Sequence, residues 1–509
     1  MKENISRKYK AKRNIILGFS NKILLIILEF ISRFYFIKFL GEELLGINGV
    51  FQNVIQLLSL AELGLNNVVG FSFYNPLANG NKEKIAALIL FYKKIYNLIA
   101  LIIFILGLII FPFIELLIKT NVDIPHVKLL YLIFLSDTVF SYLFVYKTIL
   151  LNADQKGYIN NSYNMINNTI RIIFQIISII IFKNIYLFLC IRVFFNILCN
   201  FLLSKRTDKE YPYIVNKTKL NTINKDEKKT LFQIIKSGFI YKLSAILLNS
   251  TDNILISLLV GTVWVGYIAN YDTIYSGLGS FYIILFTSLT PSIGNLVETE
   301  LPEKKYSIFQ IMNFIASWMA IVFSACFYVL SKDFISIWIG EKFVLDTGTV
   351  LSKALIIFLS CSMQPVFTFR EALGLYKKTK YVMLLSAITN IFLSIVLGRI
   401  YGIKGILFAS VISMITTYCW YEPYLLFKYY FYHKISSFFV KKLLDIIVLL
   451  FSFYITTIIF THWKVSSYAT WFLKAIITFI FVNSICFLYK GLFSEFKDTI
   501  KLIINRGCK

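Results

Sequence analysis

Apolar runs separated by short polar pieces fill this chain from near its start to near its end. Fourteen of them approach or exceed the roughly 20 residues that cross a hydrocarbon layer: 15–38, 47–72, 88–114, 128–150, 160–182, 185–204, 232–258, 264–290, 308–330, 351–375, 381–398, 403–427, 443–461 and 468–489. They are too long for barrel strands and do not alternate in polarity. Each is therefore predicted to be a helix, which satisfies its own backbone in lipid. Residues 331–350 are too polar to span and predict a short amphipathic interfacial helix and a loop. The pattern specifies an all-α polytopic membrane protein of about fourteen transmembrane helices.

Composition agrees. The 509 residues are 58% hydrophobic and 16% charged. So few charges cannot clothe a large soluble surface. The basic start followed by an apolar run from Ile15 has no small-residue cleavage site and predicts a retained first helix. With the N-terminus placed in the cytoplasm, the cytoplasmic loops hold 32 Lys and Arg against 9 on the opposite side. That is the positive-inside pattern, and it predicts both termini in the cytoplasm. A missed span would invert the later loops and destroy the bias. The net charge of +25 then points to anionic phospholipid. Nucleic acid is excluded as a partner, because the basic residues are dispersed among membrane loops.

The polar stretch 205–231 reads as a basic cytoplasmic linker. It divides the chain into an N-terminal six-helix lobe (1–204), a C-terminal six-helix lobe (232–427) and two additional helices with a cytoplasmic tail (428–509). A shift of 220 residues aligns the chain with itself without gaps. Phe19 meets Phe239, Lys22 meets Lys242, Gly41 meets Gly261 and Gly46 meets Gly266. Both copies start on the same membrane side. They predict two pseudo-symmetric bundles related by an axis along the membrane normal.

Ionisable groups inside hydrocarbon are costly and turn toward protein or water. The candidates are Glu29, Arg33, Glu62, Lys93, Lys94, Asp137, Arg171, Arg192, Asp252, Asp272, Arg370 and Glu371. Glu29 and Arg33 are spaced to pair on one helix face, whereas Arg370 and Glu371 are adjacent and are expected on different faces. Glu62, Asp137, Asp252, Asp272 and Glu371 are, with Glu29, candidates for coupling or for salt bridges. Asn53 and Gln56, with Asn48, Gln52, Asn66 and Asn67, give the second span a polar stripe suited to sugar or to helix–helix hydrogen bonds. Asn160, Asn161, Asn164, Asn167 and Asn168 crowd the start of the fifth.

Catalytic signatures are missing: there is no H-E-x-x-H, G-x-S-x-G or phosphate-binding glycine loop. His126, His433 and His462 lie in separate loops, and the seven cysteines form no C-x-x-C, so no metal site or cofactor is expected. The largest predicted extracytoplasmic loop is about 20 residues by the span limits above, too small for the catalytic domain a membrane transferase would carry. A transporter is favoured over an enzyme.

Three motifs point to a family. An L-G-x-x-x-x-G turn covers Leu40 to Gly46, S-L-A-E-L-G-L covers Ser59 to Leu65, and Y-x-P-L covers Tyr74 to Leu77. With T-D-N from Thr251 and L-T-P-S from Leu289, the chain resembles the polysaccharide flippases of the multidrug/oligosaccharidyl-lipid/polysaccharide exporter superfamily. The resemblance implies two bundles around a central cavity that opens to one side at a time. It implies movement of undecaprenyl-diphosphate-linked oligosaccharide repeat units across a bacterial cytoplasmic membrane, beside polysaccharide polymerase and glycosyltransferases. Arg33, Arg171, Arg192 and Arg370 would then supply a cationic cavity, with Asn53 and Gln56 as polar lining. The lipid II flippase branch crowds several arginines into its first span, and this chain has one there. A cation-coupled multidrug antiporter using acidic groups such as Asp252 or Asp272 is the alternative within the superfamily, and a membrane scaffold the alternative outside it.

Overall fold

The computed structural model describes residues 24–58, 79–119, 126–154, 156–215 and 250–493, with isolated positions at 72–73, 76–77 and between 243 and 248. Helices fall on every predicted stretch. In order they are α1 (24–40), α2 (Glu42–Leu58), α3 (Lys82–Ile110), α4 (Val127–Ala153), α5 (Gly157–Phe182), α6 (Ile185–Glu210), α7 (250–259), α8 (Thr262–Thr287), α9 (Thr290–Thr299), α10 (Pro302–Ile339), α11 (Thr347–Ser362), α12 (Gln364–Ala372), α13 (Tyr376–Tyr401), α14 (Ile403–Thr416), α15 (Tyr418–Leu426), α16 (Ser436–Ile459) and α17 (Tyr468–Lys490). Among the described residues, ten helices or kinked helix pairs are long and apolar enough to cross a membrane. Their outer faces are large and apolar: Leu101, Ile105 and Ile109 on α3, Phe174 and Ile181 on α5, Phe392 on α13 and Phe472 on α17 are all exposed. Water would not tolerate so extensive an apolar surface, and lipid requires it. The chain is a multi-pass membrane protein.

Side-chain caps start several helices. Asn81 accepts from the Lys84 amide ahead of α3, Asn184 accepts from the Tyr186 and Leu187 amides ahead of α6, and Ser467 and Thr470 form a reciprocal capping box at α17. Other helices are interrupted in the neighbourhood of a proline. Pro365 follows the α11–α12 break at Met363, and Pro423 sits inside α15 just after the α14–α15 break at Thr417. The expected spans 351–375 and 403–427 are therefore each two helices in line.

The polar segment 331–350 differs from its expectation. Residues 331–339 simply continue the 38-residue α10, and Gly340, at φ +110°, ends it. Ile335 and Trp338 are buried on the inner side of this extension, while Asp333 takes Lys474 as an ion-pair partner at 2.7 Å. The polar groups are thus paired within the protein, and the helix has no reason to stop at the lipid boundary.

The chain forms two compact units, Met1–Gly266 and Tyr267–Lys509, and α8 runs through the boundary. Of the expected linker at 205–231, residues 205–210 extend α6, and 216–231 lie outside the described residues.

The first unit carries the repeat in its backbone. Gly41 separates α1 from α2 and Gly261 separates α7 from α8, 220 positions on. Both glycines adopt positive φ, +87° and +144°, which a side chain would strain. The paired helices then cross. A Cβ on Gly46 would lie 2.2 Å from the Thr262 carbonyl oxygen, and one on Gly266 would lie 3.1 Å from that of Glu42 and 3.0 Å from the Gly46 nitrogen. Gly46 and Gly266 are repeat-equivalent, as are Glu42 and Thr262, so the contact is reciprocal. The stretch that follows α3 fastens to the same junction: the Lys119 amide donates to Thr262 Oγ1 at 2.8 Å, and Thr262 returns its own amide to the Lys119 carbonyl at 2.9 Å.

In the second unit α16 and α17 are tied to the bundle by buried polar contacts. Lys442 donates to Ser317 Oγ and to the Ser362 carbonyl, and Trp318 donates to Asn483, while Lys490 of α17 pairs with Asp445 of α16 at 2.6 Å and joins the two helices to each other.

Candidate functional site

Three helices of the first unit bring a cationic cluster together. Asp137 on α4 is buried, and α6 occupies both of its carboxylate oxygens. Arg192 Nε donates to Oδ2 at 3.0 Å and Asn196 Nδ2 donates to Oδ1 at 2.6 Å. Arg192 also lies over the Phe134 ring, 5.1 Å from its centroid. Arg171 on α5 sits in the electrostatic field of Arg192, Asp137 and Glu29. Its Nε is buried and has no hydrogen-bond partner among the described residues. A guanidinium presents five donors in a rigid fork and accepts nothing. Asp137 directs its hydrogen bonds to Arg192 and Asn196 and reaches Arg171 through its charge, so the Arg171 Nε is left to be met by an acceptor such as a phosphate oxygen.

The asparagines continue the polarity along the same helices. Asn164 donates to Asn160 Oδ1 at 2.9 Å, Cys199 donates to Asn164 Oδ1 at 3.4 Å, and Asn200 donates to Asn196 Oδ1 at 3.0 Å. This ladder joins α5 to α6 beside the arginines. On α1 Glu29 is exposed and Arg33 is half-buried. Lys93 and Lys94 are exposed on α3. On α2, Gln56 is exposed, and Asn53 is buried with its amide turned back to the Gly49 carbonyl at 2.7 Å. Glu62, with Asn66 and Asn67, falls outside the described residues.

The second unit treats its charges differently. Arg370 on α12 places Nη1 at 3.0 Å from both oxygens of Glu422 on α15, and the two side chains are only 4% and 1% exposed. Arg370 Nη2 also comes within 3.5 Å of Glu371. Arg370 is buried and Glu371 half-buried, so the adjacent residues differ in exposure, and the long guanidinium reaches around its own helix to the carboxylate. Asp272 on α8 pairs with Lys353 on α11. Asp252 is half-buried on α7. Glu422, Lys353, Asp445 and Lys474 all lie within predicted spans and were missed. The rule that picked out Arg370 and Asp272, a charge inside an apolar run, would have found them.

Outside the spans, Lys156 closes the turn between α4 and α5. Its Nζ lies 2.9 Å from Asp154 and 2.9 Å from Glu210, and over the Tyr211 ring. Burial works against the ammonium charge. The hydrogen bonds and fields of Glu210 and Asp154 together outweigh it and raise the lysine pKa above 10.5.

No protein-family profile and no curated protein matches the chain. Solved structures do. The lipid II flippase MurJ, in an inward closed conformation, is similar with a TM-score of 0.65 at 18% identity, over 94% of this chain and 99% of that one. A mutant of the Vibrio cholerae MATE transporter VcmN gives 0.58 at 13% identity, over 84% and 100%. An inward-facing multidrug resistance MATE family transporter of the MOP superfamily gives 0.55 at 12% identity, over 79% and 94%. What is shared is the fold. The superfamily resemblance read from the sequence motifs is borne out at that level.

Proposed function

We propose that the chain is a flippase for undecaprenyl-diphosphate-linked oligosaccharide repeat units, acting by alternating access in a bacterial cytoplasmic membrane, with both termini inside, for surface polysaccharide assembly. The observation that carries this reading is the cluster of Arg171 and Arg192, in which one aspartate pairs with Arg192 and the Arg171 guanidinium keeps a buried Nε without a hydrogen-bond partner among the described residues. A diphosphate supplies the acceptors this cluster lacks, and the asparagine ladder beside it suits hydroxyl-rich sugar. A fold shared with a lipid II flippase supports a lipid-linked substrate. The cation-coupled antiporter reading draws support from the MATE-like fold, but Asp137, Asp272 and Glu422 each already hold a basic partner. The chain's part is transport rather than catalysis, and the polymerase and glycosyltransferases would be its neighbours in assembly.

The test is reconstitution in liposomes with a fluorescent undecaprenyl-diphosphate oligosaccharide and a leaflet-impermeant quencher. Protein-dependent exchange that falls in Arg171→Gln supports the reading. Absence of exchange in wild-type protein that does extrude organic cations against a sodium or proton gradient would replace it with the antiporter.

A further inference from the structure

A pocket in the second unit lies among the start of α10, the start of α16 and the end of α17, far along the chain from the arginine cluster. Phe309, Phe427 and Phe438 wall it with buried rings, and Tyr306 stands at its side. Two lysines, Lys441 and Lys490, and one aspartate, Asp445, line the same space. Asp445 is 1% exposed. Its Oδ1 accepts from Lys490 at 2.6 Å and from the Tyr489 hydroxyl at 3.0 Å. Its Oδ2 is buried and has no partner among the described residues, and the same holds for Oδ1 of Asn313, a residue 8% exposed. Two orphaned acceptors in one pocket call for a ligand that donates hydrogen bonds. The excess of lysine over aspartate in the lining calls for a ligand that is anionic. The aromatic wall calls for one with an apolar part. The positive-inside reading puts this end of the helices at the cytoplasmic surface.

We propose that the pocket is a binding site for an anionic phospholipid whose headgroup carries free hydroxyls, phosphatidylglycerol being the simplest. The phosphate lies toward Lys441 and Lys490, the glycerol hydroxyls donate to Asn313 Oδ1 and Asp445 Oδ2, and the acyl chains leave along the phenylalanines. The site is independent of the transport reading, because it belongs to one unit and its readout is lipid retention.

Native mass spectrometry of the full chain, with phosphatidylglycerol, phosphatidic acid, phosphatidylcholine and undecaprenyl diphosphate each titrated in turn, tests it. Phosphatidylglycerol should be retained best, and Lys441→Gln or Asn313→Leu should weaken it by about tenfold, the loss of one charge-assisted or buried hydrogen bond. Lys434→Gln, an exposed lysine outside the pocket lining, should change nothing. Equal retention of phosphatidylcholine or phosphatidic acid overturns the assignment. So does phosphatidylglycerol binding that survives both pocket variants. Stronger retention of undecaprenyl diphosphate, lost in the same variants, would give the pocket to a transported lipid instead of a resident one.

Discussion

Arg171 and Arg370 are the same residue type inside helices, and exposure and partners separate them: Arg171 is half-buried and Arg370 is buried. Arg370 is locked to Glu422 with almost no exposure, so removing one partner strands a buried charge. Arg370→Met should cost about 3–5 kcal/mol, and the double variant Arg370→Met/Glu422→Leu should recover most of it. Thermal unfolding in detergent reads both, and a double variant no better than the single would remove the pair's structural role. Arg171 has no such lock. Arg171→Gln should leave the protein's abundance and unfolding temperature close to wild type while lowering flipping by about tenfold or more. The sequence placed both arginines inside helices but could not divide them. Pairing depends on which helices become neighbours, and 52 residues separate Arg370 from Glu422.

At the scale of elements, the crossing of α2 and α8 is set by an absent side chain. Gly46→Ala puts a methyl carbon within 2.2 Å of the Thr262 carbonyl oxygen. Backbone must then move, and a loss of about 1–3 kcal/mol is expected from overpacking. A lower unfolding temperature of the purified variant is the check, and an unchanged one would mean that the crossing relaxes freely. The α4–α5 turn offers a second handle. Lys156 has a raised pKa, so its contribution to stability is complete below the ordinary lysine value of 10.5 and disappears as pH climbs through the higher folded value. The stability gap between wild type and Lys156→Met should therefore hold steady up to pH 10.5 and close above it. Helix positions were readable from hydropathy alone. The breaks at Met363 and Thr417 were not read, although Pro365 announced the first, because an apolar run hides a kink that keeps both halves in lipid. The length of α10 was not readable at all, since Asp333 looks like a terminus until Lys474, 141 residues on, is seen beside it.

For the whole molecule, the charge bias predicts an orientation that labelling can check. Lys464→Cys should react with an impermeant maleimide on intact cells, and Lys434→Cys only after permeabilisation; the reverse result would invert every loop. The all-α multi-pass architecture was legible because bilayer thickness acts on each segment by itself. The division into units was less so, because α8 passes through the boundary without any change in composition. The reciprocal glycine crossing has a consequence for substitution. A contact in which each residue meets its own counterpart is the contact of a homodimer, here closed within one polypeptide. Gly46 and Gly266 are bound to each other's fate, and neither can drift alone. Glu29 and Arg33 carry no such obligation. Their counterparts 220 positions on are Asn249 and Asn253, so the two copies share the hinge and differ in the charges they carry beside it.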